Sequence, residues 1–138
     1  MARILSFDFG AKRTGIAVTD ELQLIASGLT TIVAKDLVTF VKDYLQQEKV
    51  ALFVVGKPKN LDNTPSESDT IVTKYTHQLK QHFPEIPIVE VDERFTSKMA
   101  FQSMIAGGLS KKKRQNKALL DEISATILLQ SYLSSRKL

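Results

Sequence analysis

Arg3-Ile4-Leu5-Ser6-Phe7-Asp8-Phe9-Gly10 opens the chain, and Ala11-Lys12-Arg13-Thr14-Gly15-Ile16-Ala17-Val18 continues it. Two short apolar runs flank a turn that Gly10 and Gly15 bracket and that carries the basic pair Lys12-Arg13. The pattern reads as a β-hairpin with one carboxylate, Asp8, at its lip. An acid beside a basic, backbone-accessible turn suits a place where a metal ion meets a phosphate. Taken alone, an Asp-x-Gly of this kind more often caps a surface turn.

Working outward, the hairpin is the start of a mixed sheet. Strands are expected near Arg3–Phe9 and Gly15–Thr19, with a third within Leu24–Val33 after the polar turn Asp20-Glu21. Asp36 can cap a first helix, in which Leu37, Val38, Phe40, Val41, Tyr44 and Leu45 recur at helical spacing. Val50–Val55 is a continuous apolar run ending at Gly56, as expected of a strand buried on both faces. Thr64-Pro65-Ser66-Glu67 is a capping box with proline at the first helical position, so a second helix is expected there. Pro84 and Pro87 close it, and Ile88–Val91 is the last strand. Thr96 or Ser97 caps a third helix that ends at Gly107-Gly108, and a fourth runs from about Ala118 to Ser134. Three hairpin-like strands followed by helix–strand alternation describe one α/β domain over residues 1–138, a mixed five-stranded sheet with helices on both faces. In such a sheet, sites form outside the carboxyl ends of the parallel strands. Asp8, Gly56-Lys57-Pro58 and Asp92-Glu93-Arg94 are delivered there.

Composition bounds the chemistry. The chain has 138 residues and no cysteine, which excludes disulfides and thiolate metal sites. No signal-peptide pattern and no membrane-length apolar stretch are visible, so a cytoplasmic protein with no membrane partner is expected. Of 19 basic residues, Lys111, Lys112, Lys113, Arg114 and Lys117 cluster in one acid-free stretch. The other 14 face 15 acids, so the basicity is local. That stretch reads either as a loop that grips a polyanion or as a solvated loop kept for solubility. His77 and His82 have no ligand-like partner at helical spacing and read as surface residues. The phenylalanines follow apolar periodicity, so no base-stacking platform is expected.

Asp121 heads a stripe. At about 100° per residue, Ala125, Leu128 and Tyr132 share its helical face. An acid at the head of an apolar stripe needs a partner or a metal. Its neighbour Glu122 aligns less cleanly, toward Ala118, Thr126 and Leu129. The alternative is that Asp121 merely answers the helix dipole. Asp8, Glu93 and Asp121 could meet at one sheet edge. Magnesium is commonly held by one or two carboxylates plus phosphate oxygens and water. Two such ions ~4 Å apart can activate a water and stabilise the leaving oxygen of a phosphodiester.

These residues resemble the YqgF/RuvX family of RuvC-like nucleases. The likeness is carried by Asp8-Phe9-Gly10 with Arg13-Thr14-Gly15-Ile16-Ala17 and Thr19-Asp20, then Val55-Gly56-Lys57-Pro58 with Asn60. It continues through Val91-Asp92-Glu93-Arg94-Phe95-Thr96-Ser97, and then Lys117, Asp121-Glu122-Ile123-Ser124-Ala125 and Ile127–Leu133. The resemblance implies a ribonuclease H-like fold and a nuclease that uses Mg2+ or Mn2+. It implies Asp8, Glu93 and Asp121 as catalytic metal ligands. It further implies maturation of the 5′ end of the 16S ribosomal RNA precursor, on RNA or ribosomal particles, or resolution of Holliday junctions in branched DNA. Where the family loop after Gly-x-Pro usually carries glycine, this chain has Asn63, which tolerates left-handed turns. Compared with other RuvC-like enzymes, one acid is displaced to the end of the fifth strand. Should that strand lie two away from the first, Glu93 must reach across. Lys12, Arg13 and Lys57 are expected to contact substrate phosphates, with Lys111, Lys112, Lys113, Arg114 and Lys117 gripping the polyanion. Arg94 is expected in a structural ion pair. A monomer or weak homodimer is expected.

Two rivals remain open at this point. A D-x-G hairpin also resembles the phosphate-binding turn of actin-like and sugar-kinase ATPases, but those need two such domains and this chain has length for one. A non-catalytic nucleic-acid binder would use the basic stretch and keep the acids for folding.

Overall fold

The computed structural model describes residues 2–57, 69–92 and 117–136. Its strands are β1 (Arg3–Phe9), β2 (Arg13–Thr19), β3 (Ala26–Val33), β4 (Val50–Lys57) and β5 (Ile88–Asp92). Its helices are α1 (Leu37–Gln47), α2 (Asp69–His82) and α3 (Lys117–Arg136). The strands form one sheet in the order β3-β2-β1-β4-β5. β1 pairs antiparallel with β2, and β2 with β3, while β4 lies parallel to both β1 and β5. This is the expected mixed sheet, and β5 does lie two strands from β1.

Period-two alternation sorts the side chains into two cores. Leu5, Phe7, Phe9, Ile16, Phe53 and Val55 face α1 and α2, where they meet Leu37, Val41, Val72, Tyr75 and Leu79. Ile4, Ala17 and Val54 face α3, where they meet Ala125, Leu128, Leu129 and Leu133. β4 is therefore apolar on both sides, as its unbroken run requires. Phe7 packs edge-on against Phe53 at 5.5 Å, and Phe9 stacks on Tyr75 at 5.6 Å. Full burial of each such side chain stabilises the fold by about 1.5–3 kcal/mol.

Element ends differ from expectation for identifiable reasons. β2 begins at Arg13, ahead of Gly15, because Arg13 and Thr14 already pair with Val33 and Ile32. β3 begins at Ala26, after Leu24, because the Leu24 and Ile25 amides donate to the Asp20 carboxylate instead of a ladder. Asp36 stands at the N-cap of α1 but makes no side-chain capping bond. It ends a 3-10 turn, Ala34–Asp36, at φ −92° and ψ 8°, outside the extended region that capping geometry needs. The capping box at Thr64–Glu67, the third expected helix and the basic stretch before Lys117 lie outside the described residues. No helix among the described residues is long and apolar enough to cross a membrane.

Candidate metal and phosphate site

Ile4 and Ser6 of β1 face α3, so alternation turns half-buried Asp8 to that face as well. Asp8 stands directly opposite Gly15 of β2. A Cβ added at Gly15 would overlap the Asp121 carbonyl group and come within 2.9 Å of the Glu122 nitrogen. The first turns of α3 thus lie backbone-on-backbone over β2, at the level of Asp8. Only glycine allows that approach.

The next level down repeats the arrangement. Ser6 stands opposite Ala17, and its hydroxyl donates to the Ala125 carbonyl at 2.7 Å. Two strand residues advance ~6.6 Å and four helical residues ~6 Å, so the two periods stay in step along the interface. Asp121 at the Asp8–Gly15 pair and Ala125 at the Ser6–Ala17 pair therefore form one stripe along the β1–β2 hairpin. Thr31 adds a bond from its hydroxyl to the Ala118 carbonyl at 2.6 Å. The Asp121–Ala125–Leu128 stripe faces the sheet as expected. Glu122 leans over β3, with its carboxylate 2.5 Å from where a Cβ at Gly28 would stand.

The basic residues divide between the two faces. Arg13 shares the face of Gly15 and Ala17, and its Nε donates to Asp121 Oδ2 at 2.9 Å. Lys12 is exposed at the hairpin turn, where the Gly10 amide donates to the Arg13 carbonyl at 2.8 Å and Ala34 to the Lys12 carbonyl at 2.9 Å. Lys57 sits on the α1/α2 face, away from Asp8, and pairs with Glu90 at 3.4 Å. That placement follows from parity, since Lys57 continues the Phe53, Val55 row. Glu93, Arg94, Lys111, Lys112, Lys113 and Arg114 lie outside the described residues, and Lys117 is the first residue of α3. Both histidines of α2 are exposed. Among the described residues no group of three or more acidic or histidine side chains gathers to hold a metal. Asp8 and Asp121 share the α3 face near Gly15, while Glu122 on that face leans away over β3. Asp8 and Asp121 are hard oxygen donors of the type that Mg2+ and Mn2+ accept.

Two interactions were missed in the sequence. Gly15 reads there as a turn residue, but it is the seat of α3. Arg13 reads as a phosphate ligand, but it also bonds Asp121. The hint for the first was a glycine inside a β-branched strand, which often marks a close backbone approach.

Residues 2–135 match the RuvX family, described as Holliday junction resolvase. The chain is 58% identical over 137 residues to a protein of Flavobacterium johnsoniae named "Putative pre-16S rRNA nuclease", covering 99% of both chains. It is 59% identical over 133 residues to a protein of the same name from Christiangramia forsetii, covering 96% of this chain and 98% of the relative. Among solved structures, Thermus thermophilus RuvC in complex with a Holliday junction substrate superposes with a TM-score of 0.55 at 15% identity. That superposition covers 99% of this chain and 96% of RuvC, a likeness of fold.

Proposed function

Because the chain belongs to the RuvX family of nucleases, we propose that it hydrolyses phosphodiester bonds in the precursor of 16S ribosomal RNA, free or in ribosomal particles. The relatives' shared name and near-complete coverage support that substrate. The observation that carries the reading is the seating of Asp121 on Gly15, directly beside Asp8. Asp8, Glu93 and Asp121 are the proposed ligands of Mg2+ or Mn2+. Glu93, outside the described residues, is assigned from the family motif Val91-Asp92-Glu93-Arg94. When bound, the ion supplies an activated water and offsets charge on the leaving oxygen. The chain's own part is to hold the ion at two elements locked together by Gly15 and Ser6, and to bind phosphate. Lys12, exposed at the hairpin turn, and Arg13 are the proposed phosphate contacts, and the Lys111–Lys117 stretch is proposed to hold the polyanion. Lys57 would contact the substrate from the other face.

The family description favours a second substrate, the four-way DNA junction. Purified protein with Mg2+ or Mn2+, incubated beside an Asp8→Asn variant on precursor 16S RNA and on a four-way junction, tests both. Metal-dependent cleavage of the RNA, lost in the variant, is the expected result. Cleavage confined to the junction would move the function to DNA, and cleavage of neither would leave a nucleic-acid binder.

A further inference from the structure

The Arg13–Asp121 pair joins a residue expected on phosphate to one expected on metal. Its side chains are 38% and 26% exposed, so it lies at the lip of the site and not within the core. Arg13 cannot drift far from the acids, because its backbone opens β2 just two residues before Gly15. Asp121 is equally fixed, since its own carbonyl rests on Gly15.

We propose that Arg13 is a resident counter-ion of Asp121 that a divalent cation displaces, after which the same guanidinium turns to a substrate phosphate. The inference rests on the assignment of Asp121 to metal. A cation approaching Oδ2 meets the hydrogen bond already made there by Arg13. It must either break that bond or sit beside a positive charge, and both weaken its binding. A guanidinium released beside the ion has a planar fork matched to phosphate oxygens. A partly exposed ion pair is weak enough to be exchanged in this way. Metal binding and phosphate binding are then coupled through one side chain: without the ion, Arg13 is engaged with Asp121; with it, Arg13 serves the substrate.

Two measurements on the full chain test this, neither of them activity. In the first, Mn2+ is titrated without nucleic acid, and the free ion is followed by electron paramagnetic resonance. Arg13→Gln should bind Mn2+ up to about fivefold more tightly than wild type, and Arg13→Lys, which keeps the charge, should stay near wild type. In the second, affinity for a four-way DNA junction is measured against salt, in chelator and with Ca2+. Arg13→Gln should lower the salt slope by ~0.9 with the ion present and leave it unchanged in chelator. Mn2+ binding that needs Asp121 but is unaltered or weakened in Arg13→Gln would overturn the inference alone, making Arg13 a brace. A slope lowered equally in chelator would overturn it too. If Mn2+ bound Asp121→Asn as well as wild type, the metal assignment would fall, and the inference with it.

Discussion

At the scale of single residues, Asp121 is the ion-pair partner of Arg13 and the proposed metal ligand, and substitution can separate the two. Asp121→Asn keeps the shape and removes the charge. Cleavage should fall by at least ~1000-fold, since several kcal/mol of charge stabilisation depend on the ligand. Stability in chelator should change little. The partly exposed pair with Arg13 contributes about 1 kcal/mol or less, which amounts to a melting shift of about 4 °C at most for a chain of this size. A larger drop would make Asp121 a structural partner. Asp20 offers a different test. Its carboxylate accepts the amides of Ile25, Leu24 and Leu22, and these bonds hold its pKa below the usual aspartate value. A lowered folded pKa contributes stability above the unfolded value of about 4, and that contribution disappears as pH falls through it toward the folded value. Asp20→Asn should therefore lower stability at neutral pH and flatten the acid limb of a melting-temperature profile below about pH 4. An acid limb identical to wild type would show that the turn does not feel the charge.

At the scale of elements, the docking of α3 on the sheet is decided at one position. Gly15→Ala puts a methyl group against backbone of Asp121 and Glu122, which cannot swing aside as a side chain could. The cost should be about 3 kcal/mol, and α3 should lift from β2, carrying Asp121 away from Asp8. Leu128→Ala makes the instructive comparison. Leu128 is fully buried two turns further along the same helix, so its truncation should cost about 2–5 kcal/mol while leaving Asp121 on Gly15. Well below both melting temperatures, Leu128→Ala should cleave nearly as wild type and Gly15→Ala should not. Equal activities would mean that the close approach at Gly15 does not set the site.

At the scale of the whole molecule, charge is laid out unevenly. The five cations from Lys111 to Lys117 account for the net positive charge, and the rest of the chain is close to neutral. Neutralising Lys111, Lys112, Lys113 and Arg114 together should weaken nucleic-acid binding for all sequences alike, because bonds to phosphate carry no sequence information. For every duplex phosphate that is no longer neutralised, the slope of log affinity against log salt should fall by ~0.9. The stretch is polar, glycine-led and outside any apolar periodicity, so the melting temperature should hold. An unchanged slope would return it to a solvated loop and leave the grip to Lys12, Arg13 and Lys57. The turn between β2 and β3 is apolar at its surface: Leu22, Leu24 and Ile25 are exposed around Asp20, and Arg136 clamps this turn from α3 through Gln23.

Local periodicity was legible without the fold. Alternation along β1 separates Ile4, Ser6 and Asp8 from Leu5, Phe7 and Phe9, and helical spacing aligns Asp121 with Ala125 and Leu128, because each pattern is set by bond geometry over a few residues. The mixed sheet followed from the order of those patterns. What tertiary structure alone decided are the meetings between distant segments. Arg13 and Asp121 stand 108 positions apart, and nothing near either names the other. Nothing in its motif ties Lys57 to Glu90, and strand parity decides that the two share a face. Gly15 reads as a turn residue because its neighbours in the chain form a hairpin; its role as a seat exists only once α3 is docked. Periodicity dictates which face a residue presents, whereas the depth at which two faces meet depends on the atoms absent between them, and here the missing atom is the Cβ of Gly15.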